Sequence, residues 1–159
     1  MTDEKTGTFL VTAADDDDSA VLTDIDSGQV HTLADNAAAV TVGEAIEGTL
    51  EPEPPLEVAW RLSDVTERWA ISVEESDESP TTLARELAAD QSVGELTRRE
   101  RAGTGEVHVL TVPEGETDAA VADVLDDTES VRSRAARLGV DRVVVRSAPG
   151  VVSVRYLPS

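Results

Sequence analysis

A strand–helix–strand–strand pattern runs through residues 105–158, GEVHVLTVPEGETDAAVADVLDDTESVRSRAARLGVDRVVVRSAPGVVSVRYLP. Valine-rich runs predict one strand at its beginning and two at its end. Pro113 ends the first of these strands because proline has no amide hydrogen to donate to a sheet. Between the strands, apolar residues recur at steps of three and four, which is typical of an amphipathic helix. These residues are Val121, Val124, Leu125, Val131, Ala135 and Leu138. The pattern predicts a helical layer on a sheet that ends in a hairpin.

The limits of this helical segment can also be predicted. Thr117 is suited to the N-cap position, where its side chain would accept a hydrogen bond from a free backbone amide. Residues 126–128, Asp-Asp-Thr, interrupt the apolar pattern and predict a kink or two short helices, the second capped by Thr128. Gly139 is the expected left-handed residue after the last turn. Pro149 and Gly150 then predict the tight turn of the terminal hairpin.

Residues 80–104 add a helix and a further strand to this layer. Ser79 and Pro80 have the character of an N-cap and a first helical residue, and they predict a helix that ends at Asp90. Residues 93–101 can pair with residues 106–112 across a glycine-containing turn. Residues 80–159 are therefore predicted to form an α-β-β-α-β-β two-layer sandwich with a four-stranded sheet and its helices on one face.

Residues 1–73 contain five or six short apolar runs with turn residues between them and no helical pattern. Closing such strands into a small barrel would remove exposed sheet edges, and an OB-like or SH3-like barrel is the preferred prediction. A curled open sheet is the alternative. Residues 74–79, EESDES, are too polar for a core and are interpreted as a linker. The predicted fold class is thus α+β, with a small β-barrel-like domain followed by an α/β sandwich.

Acidic residues dominate the charge of the chain. There are 33 Asp and Glu against 13 Lys and Arg, which gives a net charge of −20. Of these, 20 acidic and 3 basic residues lie in residues 1–79, so that half carries −17. Salt screens the repulsion within such a chain, and the composition indicates a halophilic protein, with an ordinary acidic protein as the alternative. The uneven distribution supports two domains.

Several classes of protein are disfavoured by the composition. The chain has no cysteine, which excludes disulfides, thiolate metal ligands and cysteine nucleophiles. No apolar run approaches the roughly 18 residues that a membrane-spanning helix needs. The N-terminal residues are acidic and lack the features of a signal peptide. The sequence therefore predicts a soluble cytoplasmic protein without a membrane partner.

No motif predicts a catalytic residue, a cofactor or a metal ligand. His31 and His108 lie in different predicted domains without partners at a fixed spacing, and they are interpreted as structural. Residues 15–18 and 24–28 are rich in aspartate but miss the spacing of an EF-hand loop. Residues 103–105, Gly-Thr-Gly, lack the lysine of a phosphate-binding loop and are predicted to be a hairpin turn.

Arginines are the candidate site residues. Three lie on one predicted strand, and three share the outward face of the terminal hairpin. They are Arg98, Arg99, Arg101, Arg142, Arg146 and Arg155. If these strands are neighbours, they form a positive sheet face that could bind phosphate or carboxylate groups in a bidentate manner. The alternative is that they pair with surface carboxylates, among them Glu95, Glu100, Glu106 and Asp141.

Three functions remain open from the sequence. The preferred hypothesis is a non-catalytic protein-binding or adaptor module that uses the arginine-bearing sheet face or the groove between the domains. RNA binding, through the barrel or the same face, is the alternative, but the net charge and the lack of aromatic residues on that face disfavour it. A divalent-metal-assisted enzyme that uses Asp24 and Asp26 is the third.

The chain also resembles a family of short haloarchaeal proteins of unknown function. The resemblance extends over nearly the full length and rests on the segments TGTFLVT, GEVHVLTVP and LGVDRVVVRSAPGVVSVRYLP. It implies a haloarchaeal cytoplasm. It implies no activity and assigns no catalytic or binding residue.

Overall fold

The computed structural model describes residues 4–15, 18–54, 58–101 and 103–158. The chain divides into two compact units, Met1–Ile71 and Ser72–Ser159. The described part contains two five-stranded sheets and three α-helices, so the fold is mixed α+β and consists mostly of strands. No described helix has both the length and the apolar character needed to cross a membrane.

The first unit is built on an antiparallel sheet with no α-helix among its described residues. Its strands are β1 Lys5–Asp15, β2 Ser19–Asp24, β3 Val30–Thr32, β4 Glu44–Pro52 and β5 Trp60–Ala70, in the spatial order β3-β2-β1-β4-β5. Phe9 and Val11 are two residues apart on the central strand, which directs them to one face, while Leu10 between them is buried on the other face. They form a buried core with Ala20, Leu22, Leu33, Val40, Ile46 and Leu50.

The predicted closed barrel is not found among the described residues of this unit. One parallel bridge joins Leu33 to Trp60, where the Ala34 amide donates to the Trp60 carbonyl over 2.8 Å. Beyond that point the two edge strands do not pair, because β3 has only three residues and cannot form a ladder along the 11 residues of β5. Among the described residues the sheet is therefore open, with its edge strands joined at one bridge, and the OB-like or SH3-like barrel is not confirmed.

The second unit contains five strands instead of the four predicted. They are β6 Ser72–Glu75, β7 Leu96–Glu100, β8 Glu106–Thr111, β9 Arg142–Ala148 and β10 Val151–Leu157, in the order β6-β9-β10-β8-β7. The additional strand is β6, which pairs in parallel with β9. Glu74 and Glu75 belong to this strand, although the polar sequence of residues 74–79 predicts a linker. An edge strand can carry charged residues because one side of it stays in water.

The helices of this unit lie on both faces of the sheet, whereas the sequence pattern predicts them on one face. They are α1 Thr82–Ala89, α2 Thr117–Asp126 and α3 Thr128–Leu138, with a short 3-10 helix at Glu114–Glu116. Ala84 and Ala88 of α1 pack on Val109 of β8. The next residue along β8 towards the N-terminus, His108, points the opposite way and faces α2 and α3. The sheet thus has an α1 face and an α2–α3 face.

The strand pairings and the helix break predicted in this unit are confirmed, whereas each predicted N-cap is displaced by one or two residues, with Glu116 and not Thr117 at the N-cap of α2. Strands β7 and β8 pair, as do β9 and β10, in the expected hairpins. The helical segment is divided at Asp127 into two helices, although Asp127 and not Thr128 holds the N-cap position of the second. Gly139 ends α3 with a φ of 73°. Helix α1 begins two residues later than expected, with Thr81 as its N-cap.

Candidate functional site

Four arginines gather on the α1 face of the second sheet. Arg142 and Arg146 are on β9, and Arg155 is on β10. Arg155 pairs with Val144, which lies between the two β9 arginines, so all three side chains are on the same face of the sheet. Arg101 follows β7, and its guanidinium donates to the Thr104 carbonyl over 2.6 Å. We call Arg101, Arg142, Arg146 and Arg155 the arginine cluster.

Arg155 lies at the centre of this cluster. It is half-buried on the middle strand and has no ion-pair or hydrogen-bond partner for its side chain among the described residues. Burial lowers the pKa of Arg155, and the charges of Arg146, Arg101 and Arg142 lower it further against the opposing effect of Glu78. The guanidinium is thus surrounded by like charges, a condition that an anion would relieve.

Two glutamates neutralise only part of the cluster. Arg142 donates to Glu74 over 3.1 Å, and Arg146 donates to Glu78 over 2.5 Å. Both carboxylates are open to solvent, with side chains 54% and 71% exposed, so they can be displaced at small cost. Four arginines against two glutamates leave a net charge of +2 on a chain of net −20.

Buried polar atoms without partners lie beneath the same side chains. Ser153 stands two residues before Arg155 and directly opposite Arg146, and it is 1% exposed. Its Oγ has no hydrogen-bond partner within the described part of the chain, and neither have the Nε atoms of Arg146 and Arg155. Buried polar groups are normally satisfied, so this site has hydrogen-bonding capacity that the described residues do not use.

The other two predicted site residues lie away from the cluster. Arg99 is on the α1 face, opposite Val107, which places it two strands and roughly 10 Å from Arg155. Arg98 pairs with His108 and therefore lies on the α2–α3 face. Because Arg98 is on the other face of the sheet, the six arginines do not form one continuous surface.

The α2–α3 face contains a buried polar network that sequence reasoning missed. Arg134 of α3 donates to both carboxylate oxygens of Glu106, through NH2 to Oε1 over 2.6 Å and through Nε to Oε2 over 3.0 Å. His108 Nε2 lies 3.3 Å from Glu106 Oε2. The ring of Tyr156 covers His108 with centroids 4.8 Å apart.

The protonation states in this network follow from burial and charge. Burial opposes ionisation of Glu106, but hydrogen bonds from Arg134 and His108 outweigh it and lower the pKa of that carboxyl. Burial lowers the pKa of His108 against the opposing effect of Glu106, and burial also raises the pKa of Tyr156. At neutral pH the ring of His108 is therefore neutral, and it carries its proton on Nε2 because an ionised carboxylate only accepts.

The free energy of unfolding is expected to decrease in two steps as the pH is lowered. The pKa values of His31 and His108 are lowered from 6.5, so each unfolded unit binds a proton before the folded one as the pH drops below about 6.5. The pKa values of Glu44 and Glu106 are lowered from 4.5, which adds a second loss below about pH 4.5. Urea titrations at pH values across this range measure the free energy of unfolding. In the second unit, His108→Gln should remove only the loss that begins below about pH 6.5. A free energy of unfolding that is constant between about pH 7.5 and 5 would contradict the assignment.

The remaining candidates from the sequence have local structural roles. His31 is 3% exposed and packs edge-on between the rings of Phe9 and Trp60. Asp24 Oδ1 accepts from the amides of Asp26 and Ser27, which holds a turn. The aspartate run at residues 15–18 lies in part outside the described residues, because the structure does not describe 16 and 17. Elsewhere in the described chain, no group of three or more His, Asp or Glu side chains could hold a metal ion.

Comparison with known proteins places the chain in a family. No curated protein and no solved structure matches it. Residues 5–147, which are 143 of the 159, match the model of a family of unknown function, DUF5812. This match includes β1 to β8, the three helices and nearly all of β9. The chain therefore belongs to the DUF5812 family.

Proposed function

We propose that the protein is a binding module that uses the arginine cluster to hold an acidic segment of a protein partner. The observation that carries the proposal is Arg155, a central, half-buried arginine that has like charges around it and forms no hydrogen bond or ion pair with any described residue. Arg142 and Arg146 flank it with guanidinium groups whose present partners are exposed glutamates. Carboxylates of a partner would take up both the charge and the free donors.

A protein partner is favoured over RNA by two features of the chain. The four aromatic residues are Phe9, Trp60, Trp69 and Tyr156, and none of them lies on the α1 face, so bases would have no ring on which to stack. A long polyanion such as RNA extends beyond the local patch of +2 and is repelled by the net charge of −20 on the rest of the chain. A short acidic peptide segment needs only the local patch.

The test measures binding of a fluorescent oligoglutamate peptide to the full chain by anisotropy. Arg142→Gln/Arg146→Gln should weaken binding about tenfold or more, because charge-assisted hydrogen bonds contribute on the order of 1.5–3 kcal/mol and 1.4 kcal/mol is tenfold. Arg142→Lys/Arg146→Lys should fall between, since lysine keeps the charge but loses the planar fork. Arg155→Gln should weaken binding as well, with helical circular dichroism confirming that the variant folds.

The matched control is Arg132→Gln/Arg137→Gln, which removes the same charge from helix α3, on the other face of the sheet, and should bind the peptide as the native chain does. Equal weakening by the control would overturn the assignment to the cluster. Oligouridylate that binds more tightly than oligoglutamate, and loses affinity in the cluster variants, would replace the protein partner by RNA.

A further inference from the structure

We infer that a groove on the α2–α3 face of the second unit binds a small carboxylate with an apolar body. The groove has a volume of about 410 Å³, which lies in the range of roughly 300–1,000 Å³ found for small-molecule sites. It is on the opposite side of the sheet from the arginine cluster. The inference is therefore independent of the proposed protein-binding face.

The groove exists because the helices cover only part of this face. Helices α2 and α3 pack mainly on β6, β9 and β10. The β7–β8 part of the sheet is left with apolar side chains facing outwards, and Leu96 is 48% exposed there. The apolar lining consists of Leu96, Leu110, Val124, Val131, Val152 and Val154. Such walls favour an aliphatic or aromatic body, whose burial in them releases water.

The polar groups within the groove carry almost no net charge. Arg134 is neutralised by its two-point pairing with Glu106, and His108 is neutral because burial lowers its pKa. Tyr156 presents a phenol that stays protonated, since burial raises its pKa. A ligand body that entered this part of the groove would therefore meet hydrogen-bonding groups, and the remaining charged residues of the lining are Arg98 and Asp127.

Arg98 supplies the charge complementarity that identifies the ligand class. It lines the groove from β7, opposite His108, and its side chain has no hydrogen bond or ion pair with any other described residue. The lining also contains one acidic residue, Asp127, at the α2–α3 junction. A carboxylate beside Arg98 with its apolar chain along Leu110 and Val124 satisfies both the cation and the walls.

The test uses the fluorescent probe 8-anilinonaphthalene-1-sulfonate on the full chain, with octanoate and octanamide as competitors. These two competitors share an apolar chain and differ in charge. Octanoate should displace the probe at about tenfold lower concentration than octanamide, because a charge-assisted hydrogen bond to Arg98 is formed by octanoate alone. Arg98→Gln should bring octanoate to the level of octanamide and leave octanamide unchanged.

Two further variants locate the site. Arg99→Gln removes the same charge from the next residue, on the other face of the sheet, and should change neither competitor. Val124→Phe should weaken both, because the larger ring occupies the groove. Equal displacement by octanoate and octanamide would overturn the carboxylate, and probe binding that survives Val124→Phe would overturn the groove. Self-association that Leu96→Glu abolishes, without competition by either compound, would assign the groove to a second copy of the chain.

Discussion

Replacing Arg134 by methionine is expected to lower the free energy of unfolding of the second unit by about 3 kcal/mol. The substitution leaves the Glu106 carboxylate, whose side chain is 12% exposed, without the guanidinium that donates to both of its oxygens. A buried charge that loses its partner costs about 3–5 kcal/mol, and the low end applies because Arg134 itself is 28% exposed. His108, at 3.3 Å from Glu106, can compensate in part by taking up a proton.

The measurement can follow the second unit alone. All three described α-helices lie in residues 72–159, so the helical circular dichroism signal in urea reports on that unit. Adding Glu106→Gln to Arg134→Met should recover about half of the loss, because the buried group is then uncharged. Arg137→Met, an exposed position on the same helix, should cost less than about 1 kcal/mol. Equal losses at Arg134 and Arg137 would show that the Glu106 pairing contributes nothing special to stability.

The terminal hairpin and the helical crossover were predictable because their signals are local. Alternating valines fix the faces of β9 and β10, and Pro149-Gly150 fixes the turn between them. The same alternation correctly placed Arg142, Arg146 and Arg155 on one face. These features depend on neighbours in sequence, which a single chain displays directly.

The features that were missed depend on distant pairing. Strand β6 gains its place from parallel pairing with β9, about 70 residues later, and its polar sequence has no strand pattern of its own. The distribution of helices over both faces depends on which face of the sheet α1 packs against, and the short apolar stripe of α1 would fit either face. The prediction of a closed barrel was wrong because β3 is too short to pair along β5, and the sequence does not define the length of β3.

The residues of the candidate sites were likewise predictable where the signal is local and missed where it depends on distant pairing. The sequence predicts Glu106 to be one of several surface carboxylates that pair with exposed arginines. In the fold it is buried and pairs with Arg134, 28 residues away on helix α3. The one available signal was that Glu106 and His108 share a strand face beside Tyr156, and a single sequence does not show which helix covers it.

Replacing Gly48 by alanine is expected to destabilise the first unit by about 3 kcal/mol. Gly48 lies on β4 where the register with β5 shifts, and a Cβ there would overlap the Asp64 carbonyl oxygen and lie 3.2 Å from Val65 Cα. Both neighbours are backbone atoms, so the strands must move apart, a change that costs as much as severe overpacking. Trp60 and Trp69, the two tryptophans of the chain, lie on β5 and report this in urea by fluorescence.

The matched control for this substitution is Gly7, which faces Gly48 across the β1–β4 pairing. A Cβ at Gly7 would meet no atom within 4 Å, so Gly7→Ala should be neutral or stabilise by up to about 1 kcal/mol, since alanine loses less chain entropy than glycine on folding. The contrast between two paired glycines isolates the close approach of β5 from the general effect of removing glycine. If Gly48→Ala unfolds at the same urea concentration as Gly7→Ala, the strands are free to separate, and the bulge between β4 and β5 does not depend on a glycine.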